Sequence, residues 1–275
     1  MFHHATQSFH KVLAGLCSLL PLFAFAQGPA LKGRIFVHWG YNRAQYTTSN
    51  IHFTGDNYDF IVHDVLAKDR PEPFAFGAYF NPKNIWIPQY NYRVGWFASD
   101  RWSFSLGVDH MKYVMVQDQR VQMTGTISAD RSVKYAANDA HDVELTSDLL
   151  RYEHTDGLNL LSIDVDHYDQ LWHSANNKHA LYLTEGLFTG PVIPRTDVRL
   201  FGEGLNNKFH LAGYGIGAQG GLFGVFWGRA TARLGLRAGY IDLPSVLTTG
   251  TASDRARQHF WFAEQYLVLG VLIGK

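Results

Sequence analysis

The sequence predicts an all-β fold: a closed antiparallel transmembrane β-barrel of about ten strands, with eight or twelve also compatible. Three observations carry this. Apolar and polar residues alternate with a period of two over most of the chain, and several runs reach about ten residues, whereas soluble strands average about five or six and a tilted membrane strand needs about nine to eleven. The face opposite the apolar one carries glycine and ionisable side chains. The composition fits both: 26 glycines, 15% aromatic and 17% charged residues, and no formal net charge. An exported β-sandwich would share these features, because an apolar strand face meets a partner sheet in a sandwich and lipid in a barrel.

The N-terminus reads MFHHATQSFHKVLAGLCSLLPLFAFAQG. Lys11 supplies a weakly basic start, residues 12–25 form an apolar stretch, and Ala24-Phe25-Ala26 is a cleavage signature. Residues 1–26 therefore read as a signal peptide and residues 27–275 as one barrel domain. Leu16 precedes Cys17, which argues against lipidation. Cys17 is the only cysteine, so the exported chain is expected to fold without disulfides. No later window holds the 18 or so apolar residues of a membrane helix. The neutral charge balance argues against nucleic-acid binding.

The strands follow in order. In GRIFVHWGYN, Ile35, Val37, Trp39 and Tyr41 share one face. YDFIVHDVLAK sets Tyr58, Phe60 and Val62 against Asp59 and His63. QYNYRVGWF sets Tyr90, Tyr92, Val94 and Trp96 against Asn91, Arg93 and Gly95. After the short turn ASDR, WSFSLGVDHMKYVMV places Trp102, Phe104, Leu106 and Val108 on one face and Asp109 on the other. His110 and Lys112 continue the apolar face and are expected at the lipid headgroups, about 20 Å beyond Trp102 at strand rise and barrel tilt. DLLRYEH (148–154) and LNLLSIDVDHY (158–168) read as a hairpin joined at HTDG. KHALYLTEGLF, HLAGYGIGAQG and GRATARLGLRAGYI follow, and EQYLVLGVLIGK ends the chain.

Aromatic residues near the ends of the apolar faces (Trp39, Tyr41, Trp96, Trp102, Tyr240) are placed as membrane girdles would be. Short connections alternate with long ones at 117–144, 189–206 and 243–257. A long apolar C-terminal strand could close the ring against the first. One count remains awkward: ASDR reads as a turn on the terminal side, which makes the strand at 102 run outward, whereas counting from an outward first strand makes it run inward, so either residues 70–85 hide a further crossing or ASDR is an outer turn.

In this architecture the chain resembles bacterial outer-membrane β-barrel proteins, in the style of the small barrels of Bacteroidetes-type bacteria. The resemblance covers nearly all of residues 27–275. It implies a cell outer-membrane location, contact with outer-membrane lipids and lipopolysaccharide, and assembly by the barrel insertion machinery. Many such barrels end on an aromatic residue; this chain ends Ile273-Gly274-Lys275, so that signal falls to Tyr266 or Phe262.

Two constellations bear on chemistry. RYEHTDGLNLLS loosely resembles the His-x-Ser-Asn-Gly-like motif of outer-membrane phospholipase and lipid A deacylase barrels, which would make His154 a base with Asp156 or Ser162 beside it. The motif's serine is absent, Thr155 stands next to the histidine, and Asp156-Gly157 also suits a type I′ hairpin turn. The alternation also points Arg93, Asp109, Asp164, Asp166, Arg229, Arg233, Arg237 and Glu264 into the lumen. There they are expected to pair and fill a narrow barrel, or to line a pore. HYDQLWHSANNKH reads as an outer loop with three histidines and no metal-ligand spacing, and no cofactor motif is present. The functional expectation is a monomeric envelope protein with a structural, binding or narrow-pore role. A membrane-embedded lipid hydrolase and a soluble exported sandwich are the alternatives.

Overall fold

The computed structural model describes residues 28–204 and 208–274; the expected signal peptide lies outside them. In chain order it contains β1 (Ile35–Tyr46), β2 (Ser49–Gly55), β3 (Tyr58–Val65), β4 (Ala67–Lys68) and one helical turn, α1 (Phe76–Tyr79). There follow β5 (Tyr90–Phe97), β6 (Trp102–Met115), β7 (Arg120–Ile127), β8 (His141–Glu144) and the 24-residue β9 (Leu150–His173). The second half holds β10 (Ala180–Val192), β11 (Asp197–Leu200), β12 (Glu203–Gly204), β13 (Gly213–Phe226), β14 (Ala230–Leu247) and β15 (Arg255–Ile273).

Eight strands close a ring in the order β1-β5-β6-β9-β10-β13-β14-β15, with β15 returning to β1. The closing seam runs without a break from Ile35 opposite Ile273 to Tyr46 opposite Phe262. Closure leaves no sheet edge within the ring, the condition that lets a sheet cross lipid. The exported-sandwich alternative is thereby set aside. Connections 98–101, 174–179 and 227–229 turn at the end that holds Ile35 and Ile273, here called the terminal end. The long connections 47–89, 116–149, 193–212 and 248–254 gather at the other end, the loop end.

Eight strands rather than about ten follow from two local facts. First, the hairpin of β2 and β3 stays outside the ring: β15 pairs its residues 255–258 with β2, and the sheet continues through β3 and β7 to β8. Residues 70–85 do not cross either, so β1 runs outward, β5 returns, and ASDR is a terminal-end turn. Second, HTDG is no hairpin turn. Tyr113 of β6 pairs with His154 and Met111 with Leu158, so residues 155–157 bulge opposite Lys112 inside a continuous β9. Gly157 adopts φ 120° there, in the left-handed region where a side chain is strained.

The alternation sets the two faces. Leu106, Leu187, Leu236 and Leu269 point outward and are 62% to 67% exposed. Inward residues are buried and form three layers. At the terminal end, Leu31, Phe36, Phe97, Tyr168, Phe223 and Leu272 pack together. At the loop end, Phe53, Phe60, Tyr113, Tyr152, Phe188 and Phe260 belong to a larger apolar cluster that continues into the external sheet. A charged layer lies between.

Candidate functional site in the barrel lumen

The charged layer is built from side chains at successive inward positions of six ring strands. Arg93 of β5 donates from Nε to Asp164 Oδ2 at 2.6 Å and from Nη2 to both oxygens of Asp109, at 2.6 and 2.8 Å. Arg233 of β14 grips Asp166 with two bonds of 2.9 Å, the planar fork that guanidinium and carboxylate share. Arg237, four residues and two lumen positions further on from Arg233, lies 3.2 Å from both Asp109 and Asp164. Gln219 of β13 links the two groups, donating to Asp166 at 2.8 Å and accepting from Arg237 at 2.9 Å. Asn91 donates to Glu264 at 2.6 Å and also to Asp109.

These charges are dry. The side chains of Arg237, Asp109 and Asp164 are each 1% exposed. Glycine on a neighbouring strand makes room for the bulk: a side-chain carbon at Gly107 would lie 2.2 Å from Cδ of Arg93, and one at Gly235 would lie 2.4 Å from the Tyr266 hydroxyl. The Arg237 guanidinium also lies 3.9 Å above the Phe188 ring, where the charged layer meets the loop-end aromatics. The space left among His38, Asn91, Arg93, Gln219, Arg237 and Tyr266 is about 10 Å³, room for one water. Among the described residues the lumen is a packed core.

The other sequence candidates fall elsewhere. Arg229 is exposed in the 227–229 turn; its spacing from Arg233 matched the lumen face, but the strand begins only at Ala230. His110 and Lys112 are on the outward face as the alternation implied, yet each is only 8% exposed. His110 stacks on Tyr90 and bonds Asn159 at 2.8 Å, while Lys112 Nζ donates to the Ile87 carbonyl at 3.1 Å. Local alternation shows the face but not the segment that folds down over it. Open headgroup contact is therefore corrected to a covered position.

His154, Asp156 and Ser162 do not form a catalytic group. His154 is fully buried, its Nδ1 2.7 Å from the Thr196 hydroxyl, between the rings of Tyr113 and Tyr152. Asp156 is exposed, 3.5 Å from Arg195. Ser162 accepts from Arg237 at 3.4 Å in the charged layer. His154 and Ser162 both face inward, but they pair with Tyr113 and Gly107 of β6, six residues apart, which separates them by about 20 Å at strand rise. That is far beyond proton-transfer reach. Nearby, burial holds the His210 imidazole below its ordinary pKa, against the pull of the Lys208 and Ser245 carbonyls.

The histidine-rich segment is also not an outer loop. Residues 167–173 end β9, and the turn 174–179 lies at the terminal end. His167, Asp169 and Glu185 meet on the outer wall with ligand atoms within 4.8 Å of one another. His167 Nδ1 is 3.5 Å from Asp169 and 3.6 Å from Glu185. Among the described residues, these three could share a cation, and a simple ion pair uses the same geometry.

A closed ring, an apolar outward face and alternating short and long connections now stand together. The architecture resembles that of bacterial outer-membrane β-barrels. No family model and no curated protein matches the chain. Among solved structures, the outer membrane protein OprG from Pseudomonas aeruginosa is similar at 10% identity and a TM-score of 0.43, covering 91% of this chain and 100% of that one. The outer membrane protein AlkL, solved in lipid bilayers, matches at 8% identity and a TM-score of 0.39, covering 92% and 96%. Ail, the attachment invasion locus protein of Yersinia pestis, matches at 9% identity and 0.28, covering 86% and 99%.

Proposed function

We propose that the protein is a monomeric, non-conducting outer-membrane barrel that anchors and displays a rigid external β-structure, in a structural or ligand-binding role at the cell surface. The observation that carries this reading is the filled lumen. Salt-bridged charges occupy its middle and aromatic layers stand on either side of them. Narrow-pore transport finds no path in that packing. Lipid hydrolysis is disfavoured because the hydroxyl beside His154, that of Thr196, is fully buried together with the imidazole and out of reach of lipid. The loop end, in contrast, is ordered into strands: β2, β3, β7 and β8 extend the ring's own sheet, and β11 pairs with the outer part of β9. In this reading the outward leucines contact phospholipid and lipopolysaccharide chains, and the insertion machinery closes the β1–β15 seam.

The test is surface labelling of intact cells in a Cys17→Ala background, which carries no other cysteine. Val133, 86% exposed on the external side, is replaced by cysteine, and so is Asn176 in the terminal-end turn. A membrane-impermeant maleimide is expected to label Val133→Cys on intact cells and Asn176→Cys only after the outer membrane is permeabilised. Recovery of the protein as a soluble periplasmic species, or labelling of both sites on intact cells, would refute display in this orientation.

A further inference from the structure

Between β4 and β5 the chain runs RPEPFAFGAYFNPKNIWIP, and this segment folds back over the outside of the barrel wall. Trp86 packs edge-on against Trp39 with ring centres 5.3 Å apart, and Tyr79 packs against Tyr41 at 4.8 Å. Arg43 donates to the Tyr79 hydroxyl at 2.9 Å, Tyr41 donates to the Tyr79 carbonyl, and Lys112 donates to the Ile87 carbonyl. Trp39, Tyr41 and Arg43 are outward positions of β1, and Lys112 is one of β6. The segment therefore lies on the face that carries the apolar belt.

Its own far side is apolar and open. Phe74, Phe76, Phe80 and Trp86 are 56% to 74% exposed, and Ile87 is 49% exposed. The phenylalanines form one patch: Phe76 lies 5.5 Å from both Phe74 and Phe80. A contiguous aromatic patch of this kind on a monomer marks an interaction surface.

The wall beneath says what covers it. On β1 the outward apolar run extends from Ile35 to Tyr41 and stops at Arg43, which faces Gln265 of β15 across the seam. Six residues at strand rise and a tilt of about 40° give roughly 15 Å of height, short of the apolar band of about 25 Å that a bilayer requires. On β14 the corresponding run, Ala230 to Tyr240, reaches about 25 Å by the same arithmetic. The folded-back segment sits where the wall is short. It covers the outward cations Arg43 and Lys112 and offers aromatic rings in their place. Its patch is continuous with the belt through the Trp39–Trp86 contact.

We propose that residues 74–87 form an aromatic flap seated in the acyl and headgroup boundary of the membrane, completing the lipid-facing belt over β1, β5 and β6. This inference rests on the membrane-spanning reading above. Its occupant is lipid, not a second protein.

The test places an environment-sensitive nitrobenzoxadiazole probe on single cysteines in the Cys17→Ala protein, at Phe76, at Leu106 on the belt and at Val133 on the external side. Each protein is reconstituted in vesicles of phosphatidylethanolamine and phosphatidylglycerol with doxyl-labelled acyl chains. Phe76 is 74% exposed and Leu106 65% exposed, so neither replacement opens the barrel interior, although Phe76 gives up its ring contacts with Phe74 and Phe80. Phe80→Cys, 64% exposed, provides a second flap position should the first variant fold poorly. The flap probes are expected to shift to the blue and to be quenched comparably to Leu106, with Val133 unquenched. Quenching at Leu106 with none at Phe76 or Phe80 overturns the flap and leaves the barrel standing. A blue-shifted flap probe that lipid does not quench assigns the patch to a second copy of the chain and overturns lipid as its occupant. Absence of quenching at Leu106 overturns the membrane reading itself, and the flap with it.

Discussion

Arg237 shows what the charged layer costs and what it holds. It lies within 3.2 Å of Asp109 and Asp164, receives no help from solvent, and closes the gap between the carboxylates of β6 and β9. Removing one member of a buried pair leaves a charge without a partner, a loss of about 3 to 5 kcal/mol, whereas replacing both members by apolar groups of similar volume is often neutral. Arg237→Met is therefore expected to lower the unfolding free energy of the barrel by an amount in that range, read as a lower urea midpoint. Arg233→Met combined with Asp166→Leu is expected to cost much less, because Asp166 takes both of its forked bonds from Arg233. Urea unfolding in lipid vesicles, followed by heat-modifiable gel mobility, measures both; equal losses would contradict the pairing. At this scale the sequence was informative about faces. Alternation alone puts Arg93, Asp109, Asp164 and Arg237 on the inward side. It could not show that Gln219 and Asn91 bridge the pairs, because an amide at a lumen position gives no signal distinct from any other polar residue. Partners 71 to 73 residues apart in sequence, such as Arg93 or Arg237 with Asp164, are set by ring closure, not by local spacing.

At the scale of elements, β9 is the clearest divergence from local pattern. Asp156-Gly157 is a strong hairpin signal, and a chain reader sees two strands. The ring imposes one strand with a bulge, because Tyr113 and Met111 of β6 engage His154 and Leu158 on either side of it. The glycine is still needed, but for its φ of 120° in the bulge. Gly157→Ala is expected to cost about 1 to 3 kcal/mol, the usual strain of a side chain held in that region. The measurement is the same urea midpoint, with Gly202→Ala, also at positive φ but at the external end of the chain's β11–β12 turn, as a comparison that should shift it less. No loss at Gly157 would argue that β9 is not continuous. The β2–β3 hairpin misleads for a related reason. Its alternation is that of a membrane strand, yet its apolar face packs Phe53 on Phe60, 5.2 Å apart, and on Tyr152 of β9. A strand that meets protein and one that meets lipid have the same period, and length does not separate them either: β3 outside the ring and β5 inside it both have 8 residues.

For the whole molecule, closure of the ring and filling of its lumen are linked. Eight strands enclose an interior that side chains can fill, and here glycines opposite Arg93 and Tyr266 let large groups reach the axis. The apolar faces, aromatic girdles and long C-terminal strand make the barrel class legible in the sequence. Strand number is less so, because it depends on which amphipathic runs join the ring and which extend it on the outside. The central claim is that this barrel crosses a membrane without opening a path through it, and planar-bilayer recording of the purified, folded protein tests it most directly. The account predicts a current indistinguishable from the protein-free bilayer across the applied voltage range. Reproducible, stepwise single-channel openings by the wild-type protein would contradict it.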